Sequence, residues 1–261
     1  MQRKFLSNLL FLLFLNLLIK PFWIFGIDRT VQNTLGAEEY GFYYALFGFS
    51  ILFNILLDVG ITNYNNRNIA QHNHMLGRYF SSIVWLKLLL GVVYLLVTIV
   101  LALIFDYAGR ELNLLLILCL NQFLVSFLLY LRSNLAGLQL FKWDSFLSVL
   151  DRIVMIVICG ILLWGIEGFN FTIEHFVWTQ TFAYLLSCAV ALLILGKRLS
   201  SFTVKLNIPL LRLIFKQSLP FALLVLLMAF YYRVDSVMIE RLLPNGREQA
   251  GVYAQAYRLL E

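Results

Sequence analysis

The chain has 261 residues, of which 61% are hydrophobic and 13% charged, with a formal net charge of +6. No soluble domain of this size could bury so large an apolar fraction, which excludes an ordinary water-soluble fold. Uncharged runs such as Leu112–Leu131 and His175–Gly196 reach the roughly 20 residues that a helix needs to cross the hydrocarbon core. These runs are long and apolar all round, whereas a membrane β-barrel needs short alternating segments, so we predict an all-α integral membrane protein.

Apolar segments follow one another along the chain and predict about seven complete transmembrane helices, with the start of an eighth before Glu261. They lie near Phe5–Val31, Tyr40–Tyr64, Phe80–Phe105, Leu112–Gly137, Ser145–Ile166, Ile173–Gly196 and Ile214–Ile239. Six of these helices, over residues 1–196, are expected to form a first bundle. Residues 197–212 would be a cytoplasmic connector, and residues 213–261 the incomplete start of a second bundle.

The distribution of basic residues predicts a cytoplasmic amino terminus. Alternate loops divide the Lys and Arg residues into two sets, and the larger set belongs on the cytoplasmic side. It contains Arg3, Lys4, Arg67, Arg78, Lys142, Lys197, Arg198, Lys205 and Arg212, against Arg110, Arg241 and Arg247 on the other side. This asymmetry accounts for most of the net charge, so we expect contact with membrane lipids and no nucleic-acid partner.

Ionisable residues inside the predicted spans are the main functional candidates, since a charge at the bilayer centre costs roughly 2.5–3.5 kcal/mol. The first helix carries Lys20-Pro21 and then Asp28-Arg29, and the seventh carries Pro220 and then Arg233 and Asp235. Proline frees a backbone carbonyl, so both helices are candidates for bending around a polar cavity. The other candidates are Asp58, which could pair with Arg67, Lys87, which could snorkel to the interface, Arg132, and Asp151 with Arg152.

Cysteine, histidine and catalytic patterns point to no cofactor. Cys119, Cys159 and Cys188 all fall inside predicted spans and are expected to be small packing residues. His72 and His74 form a loop pair without further ligands nearby, so we expect no metal site. The chain has no recognisable catalytic motif and no large outward loop to hold one, so we expect that it is not an enzyme.

Two short segments predict an internal duplication. Glu39-Tyr40-Gly41-Phe42-Tyr43 follows the first helix, and Gln249-Ala250-Gly251-Val252-Tyr253 follows the seventh, so each opens the next helix with Gly-x-Tyr. An offset of six helices preserves orientation. The copies would therefore be parallel repeats related by an axis along the membrane normal.

A set of short motifs in order along the chain carries a family resemblance. The motifs are Leu35-Gly36, Glu39-Tyr40-Gly41-Phe42-Tyr43, Asp58-Val59-Gly60-Ile61, Arg67-Asn68-Ile69-Ala70, Pro220, Asp235-Ser236-Val237-Met238-Ile239, Gly251-Val252-Tyr253 and Ala256-Tyr257-Arg258-Leu259. Together they resemble the bacterial polysaccharide exporters, the flippases of lipid-linked oligosaccharides. That family belongs to the multidrug, oligosaccharidyl-lipid and polysaccharide exporter superfamily.

The resemblance implies a transporter with two bundles of about six helices around a central cavity. It would move an undecaprenyl-pyrophosphate-linked oligosaccharide across the bacterial inner membrane for surface polysaccharides such as lipopolysaccharide, with polysaccharide assembly proteins as candidate partners. Within this chain we expect the first bundle and only part of the second, so the chain resembles a carboxy-terminally truncated member. Arginine binds phosphate through forked charge-assisted hydrogen bonds. We therefore expect Arg29, Arg233, Arg132 and Arg152 to bind the head group, and Asp28, Asp58 and Asp235 to pair with them or bind coupling ions.

Four alternatives stay open from the sequence. A peptidoglycan-precursor flippase would differ mainly in the head group of its lipid. A multidrug exporter of the same superfamily would favour acidic over basic cavity residues, because its substrates are cations. An O-antigen polymerase or ligase would need a large outward loop, and an inert fragment would need no site at all.

Overall fold

The computed structural model describes residues 13–71, 76–166, 168–197, 227–228 and 230–257, and every regular element among them is helical. In chain order these are α1 (13–21, continued by a π-helical stretch, Phe22–Asp28), α2 (Arg29–Leu52), α3 (Ile55–Asp58), α4 (Ile61–Gln71), α5 (Leu76–Ile104), α6 (Arg110–Gly137), α7 (Phe141–Gly160, continued by a π-helical stretch, Ile161–Gly165), α8 (Ile173–Gly196), α9 (227–228 and 230–242) and α10 (Gly246–Tyr257). His72, His74, Pro220 and the predicted connector beyond Lys197 lie outside the described residues.

Several of the described helices are suited to a membrane. The segments Phe80–Ile104, Arg110–Gly137, Phe141–Gly165 and Ile173–Gly196 are each long and apolar enough to cross a bilayer. The bent pair Leu13–Leu52 and Ile55–Gln71, with 44° between its parts, raises the number to five if it counts as one span. The all-helical, multi-pass architecture is therefore confirmed, whereas the predicted number of seven complete spans is not.

Gly36 interrupts α2 and brings the residues on its two sides together. Its backbone angles, φ 81° and ψ 168°, lie outside the α-helical region and suit a residue without a side chain. The Tyr40 hydroxyl donates a hydrogen bond of 3.0 Å to Asp28 Oδ1. Twelve residues of straight helix would place these two residues about 18 Å apart, so the chain must bend back at Gly36. The predicted first and second spans are therefore separated by a glycine turn.

A second interruption divides the helix predicted over Tyr40–Tyr64. Val59 and Gly60 have φ values of 44° and 79°, so α3 ends in the left-handed region and α4 starts a new direction. The predicted span is therefore not one continuous helix. The short, polar α4 is held to α6 by the buried Asn65 amide, which donates to Ser133 Oγ at 2.9 Å and to Asn134 Oδ1 at 3.0 Å.

The helix α8 packs against α6 and α7 and also reaches the first two helices. Its Phe176 ring stacks on Trp23 of α1, with 6.1 Å between centroids, and meets Tyr43 of α2 edge-on at 5.4 Å. In contrast, α5 presents a row of exposed apolar side chains, which includes Trp85, Leu88, Leu89, Val92 and Leu96. Such a row is expected where a helix faces lipid rather than water.

The three cysteines are free thiols in the interior. Cys119, Cys159 and Cys188 have exposed fractions of 2%, 0% and 5%. Their burial without a disulfide confirms the prediction that they are small packing residues.

The two Gly-x-Tyr segments meet where α2 packs against α10. A Cβ atom built on Gly41 would overlap the carbonyl oxygen of Arg247, and one built on Gly251 would overlap that of Ala37. Gly251 follows Gly41 by 210 residues, and Arg247 follows Ala37 by the same number. The contact is thus reciprocal between the copies, as it is at an interface around a two-fold axis, and it supports the predicted duplication. Paired glycines allow the close backbone approach of small-residue helix interfaces in membranes.

Candidate functional site

A polar cavity of about 320 Å³ lies between the first helices and α10. Of the described residues, Asp28, Arg29, Gln32, Asn33 and Gln255 form a polar wall, and Ile24, Phe25 and Ala256 an apolar one. The residues from α1 and α2 recur at intervals of three and four, which places them on one face of a helix. The volume is at the lower end of the range of about 300–1,000 Å³ that is typical of small-molecule sites.

Asp28 is the buried acid of this cavity, with an exposed fraction of 1%. Besides the Tyr40 hydroxyl on Oδ1, Gln32 Nε2 donates to Oδ2 at 3.3 Å. The turn at Gly36 creates this arrangement, because it brings Tyr40 back to the level of Asp28. Asp28 is therefore held inside the protein and does not reach out to interfacial water.

Arg29 differs from two of the other predicted head-group ligands. Its side chain is exposed on the cavity wall, and the described part of the chain contains no ion pair with it. In contrast, Arg132 Nε donates to Asp144 Oδ1 at 2.7 Å, and Arg152 Nε lies 3.6 Å from Asp151 Oδ2. Neither Arg132 nor Arg152 lines the cavity.

Arg233 is enclosed by aromatic rings rather than by the cavity wall. It donates to the Tyr44 hydroxyl at 3.2 Å, and its guanidinium carbon lies 5.7 Å from the Phe47 ring centre and 5.5 Å from that of Tyr257. Tyr257 follows Ala256 of the cavity wall, so the two predicted arginines approach the same end of α10 without sharing the cavity.

Asp235 lies on α9, on the exposed surface. It accepts a hydrogen bond of 3.3 Å from the Tyr253 hydroxyl of α10. The structure therefore places Asp235 beside the second Gly-x-Tyr segment and outside the cavity wall.

Asp58 belongs to a separate buried cluster at the break between α3 and α4. It forms an ion pair with Lys87 of α5, and it accepts from the Thr62 backbone amide at 3.3 Å. The predicted pairing of Asp58 with Arg67 is wrong, because Asp58 pairs with Lys87 and no contact among the described residues joins it to Arg67. The predicted snorkelling of Lys87 is wrong as well, because this side chain has an exposed fraction of 1%. The Lys87 ammonium also donates to Leu57 O at 3.0 Å and to Ser126 Oγ at 2.9 Å. The sequence marked Asp58 and Lys87 separately, as charges inside apolar runs, but gave no sign that they pair.

A network of ion pairs near the starts of α6 and α8 was not predicted. Arg110 donates to both carboxylate oxygens of Glu39 at 2.8 Å and, through Nε, to Glu174 Oε1 at 2.7 Å. The forked geometry fixes the beginning of α6 relative to α2 and α8. Because all three side chains are substantially exposed, the pairs add little to the free energy of folding.

A second set of ion pairs joins α6 to α9 and α10. Glu111 accepts from Arg247, and Arg241 Nη2 lies 3.4 Å from its Oε2. Arg241 Nε also lies 3.0 Å from Glu240 Oε2, without the alignment of a hydrogen bond. Burial raises the pKa of Glu240, and the positive charge of Arg241 opposes that rise only in part. These contacts connect the first bundle to the two helices that follow the predicted connector.

Three carboxamide residues of the cavity were missed by the sequence reasoning, namely Gln32, Asn33 and Gln255. Gln32 and Asn33 follow Asp28-Arg29 by about one helical turn, and that spacing was the available signal. Nothing local marks Gln255, because its place on the wall depends on the packing of α10 against α2.

The family of the chain follows from its overall sequence. The family model described as "polysaccharide biosynthesis protein" matches residues 5–261. The chain belongs to this family. Comparisons with curated proteins and with solved structures gave no match. Membership agrees with the resemblance to polysaccharide exporters found in the motifs, and it supports a role in polysaccharide biosynthesis.

Proposed function

We propose that the protein is a transporter, not an enzyme, that moves an undecaprenyl-pyrophosphate-linked oligosaccharide across the cytoplasmic membrane. The observation that carries this proposal is Arg29, a guanidinium on the wall of a polar cavity with no ion pair among the described residues. An exposed guanidinium without a carboxylate partner is available to an anionic ligand, which would compensate its charge. Family membership supports the link to polysaccharide.

The chemistry of such a lipid matches the arrangement of the bundle. The polyprenyl tail stays in the hydrocarbon, whereas the pyrophosphate and the glycan need a polar path. Arg29 would hold the pyrophosphate by charge-assisted hydrogen bonds. Arg233 would be a second ligand if it turned away from the rings around it, whereas Arg132 and Arg152 already lie beside carboxylates and are weaker candidates.

The proposal includes a location and an orientation. The protein would span the bacterial inner membrane several times with its amino terminus in the cytoplasm. Support for this orientation comes from the excess of Lys and Arg in alternate loops. In that orientation the two sets of ion pairs around Arg110 and Glu111 would lie at the outer face.

A multidrug exporter is the second candidate, and one observation favours it. The Asp28 carboxylate on the cavity wall could attract a cationic substrate. However, Tyr40 and Gln32 already donate to its two oxygens, which reduces its demand for another cation. Efflux of cationic dyes that depends on Asp28 would favour this candidate over the flippase.

The experiment replaces Arg29 with Ala in full-length protein in a strain whose surface polysaccharide depends on this gene. We expect loss of at least nine-tenths of the surface polysaccharide, because the head group would lose its forked donor. Arg29→Lys should restore only part, since an ammonium is a single point charge. The control is Lys142→Ala, which removes an exposed cation outside the cavity.

Two measurements make the outcome decisive. Immunoblots of membrane fractions should show equal amounts of all variants. Proteoliposomes with a fluorescent lipid-linked oligosaccharide should move the lipid between leaflets faster than empty liposomes, and the Arg29→Ala protein should not. Equal polysaccharide and equal translocation in the wild type and Arg29→Ala would contradict the proposal.

A further inference from the structure

We propose that the cavity between the first helices and α10 binds a neutral sugar unit of the transported lipid, with Asn33 and Gln255 as its hydrogen-bonding ligands. This inference rests on the proposed function, but it concerns a different part of the substrate from the pyrophosphate. It names residues that no motif in the sequence indicated.

The charges of the wall argue against a site for pyrophosphate alone. Among the described residues, the lining contains one cation, Arg29, and one acid, Asp28, and these two formal charges cancel. A group with two or more negative charges would gain from Arg29 and lose from the carboxylate beside it. A neutral ligand meets no such opposition.

The remaining polar groups match hydroxyls better than phosphate oxygens. Gln32, Asn33 and Gln255 are carboxamides, and each offers both a donor NH₂ and an acceptor carbonyl. Phosphate oxygens only accept hydrogen bonds, so the carbonyls would have no partner on pyrophosphate. Sugar hydroxyls donate and accept, and can therefore use both ends of each amide.

Two of these amides are available to a ligand. Asn33 and Gln255 are exposed, and within the described residues their side chains form no hydrogen bond. Gln32 is buried and donates to Asp28, so it orients the carboxylate rather than the ligand. The acid in turn can accept from a ligand hydroxyl without repelling it.

The apolar part of the wall completes the match. Phe25 is 57% exposed on the cavity side of α1 and offers a flat apolar surface next to the amides. A pyranose ring carries C–H groups on one face and hydroxyls at its edge. A wall with one aromatic surface and a few polar groups is the usual form of a specific small-molecule site.

The fold holds the two ligands at a defined separation. Asn33 precedes the turn at Gly36, and Gln255 lies on α10, which Gly41 and Gly251 bring into close contact with α2. The amides therefore come from parts of the chain more than two hundred residues apart, and the packing of α10 against α2 brings them to one cavity.

The test compares two lipids on purified full-length protein. One is undecaprenyl pyrophosphate, and the other is the same lipid bearing a single neutral N-acetylhexosamine. We expect the wild type to bind the sugar-bearing lipid about tenfold more tightly. Asn33→Ala and Gln255→Ala should each remove about threefold to tenfold of that preference, the contribution of one neutral hydrogen bond, and leave the affinity for undecaprenyl pyrophosphate unchanged.

Two further variants separate the roles. Arg29→Ala should weaken binding of both lipids, because its partner is the phosphate common to them. Asn113→Ala removes an exposed amide on α6 outside the cavity and should change neither affinity. Thermal midpoints of the variants should equal that of the wild type, since the altered side chains are exposed.

The outcomes distinguish this inference from the proposed function. Equal weakening of both lipids by Asn33→Ala and Gln255→Ala would overturn the sugar assignment and leave the flippase intact. No weakening of either lipid would also overturn it, because the sugar would then lie elsewhere. A wild type that binds neither lipid would overturn the proposed function, and this inference with it.

Discussion

The close contact between α2 and α10 predicts that a single methyl group will destabilise the protein. Gly41→Ala places a Cβ atom less than 3.0 Å from the carbonyl oxygen and carbon of Arg247, and Cβ atoms in proteins essentially never make contacts that short. The obstacle is backbone on a neighbouring helix, so no side-chain rotation can relieve it. Gly251→Ala meets the backbone of Ala37 in the same way.

The size of the effect follows from two opposing contributions. The Gly41 Cβ atom and Arg247 O would be 1.7 Å apart, so they must move at least 1.3 Å further apart to reach 3.0 Å, and overpacking of this size costs about 3 kcal/mol, the upper end of the typical range. Replacement of glycine by alanine inside a helix returns about 0.5–1 kcal/mol. For a chain of this length, the net loss of about 2–2.5 kcal/mol corresponds to a fall in the thermal midpoint on the order of 4–10 °C.

Thermal unfolding of the purified full-length protein in detergent measures this change. The matched control is Gly196→Ala at the end of α8, where a Cβ atom would meet nothing within 4 Å. That variant should melt at the wild-type temperature or slightly above it. If Gly41→Ala and Gly251→Ala both melt like the wild type, then α2 and α10 do not pack through these glycines and the reciprocal contact between the repeats is refuted.

Two further predictions concern buried charges away from the cavity. Asp58→Asn leaves a buried ammonium without a carboxylate, so it should lower the free energy of unfolding by about 3 kcal/mol, the lower end of the range for broken buried pairs. Lys87→Met should lower it by less. In Lys87→Met the Asp58 side chain loses its partner, but it is 29% exposed and can be solvated by water. Equal thermal midpoints for the two variants would contradict the expected difference between them. Burial raises the pKa of Glu240, so the folded state binds a proton at this carboxylate more tightly than the unfolded state does. The stability that this proton contributes is fully present below the ordinary Glu pKa of about 4.3. It is lost as the pH rises through the raised pKa of the folded state. The thermal midpoint of the wild type should therefore fall relative to that of Glu240→Gln between pH 4 and pH 7, and parallel pH profiles would show that Glu240 does not titrate in this way.

Two sets of charged side chains among the described residues differ in what surrounds them. Arg110, Glu111 and Arg132 lie beside carboxylates or guanidinium groups of neighbouring helices, where they orient helix ends. Arg29 and Asp28 lie on a cavity wall together with amides. The second set lies beside open space, and Arg29 has no ion pair among the described residues, which is why the proposed function rests there.

The order of short motifs along the chain was enough to indicate the family. Motif order is a property of the sequence itself, and the match over residues 5–261 confirms the resemblance. The Gly-x-Tyr segments likewise indicated a duplication before any contact between them was known. The structure adds the contact itself. Because glycine has no side chain, Gly41 can lie against the carbonyl oxygen of Arg247, and Gly251 against that of Ala37.

Hydropathy by itself determined that this protein is helical and crosses a membrane several times. A bilayer demands long apolar segments with internally satisfied backbones, and this demand acts on each segment separately. It also marked Asp28, Arg29 and Arg233 as unusual, because a charge in an apolar run is visible without knowledge of its neighbours.

Only the tertiary structure decided which partners these residues have. The turn at Gly36 brings Tyr40 to Asp28, the break at Val59 brings Asp58 to Lys87, and the packing of α10 brings Gln255 to Arg29. Each of these contacts depends on the direction in which a helix leaves a break and on the side it then presents. The periodicity of the sequence predicts neither the direction of the helix nor the side that it presents, because both depend on how one helix surface packs against another.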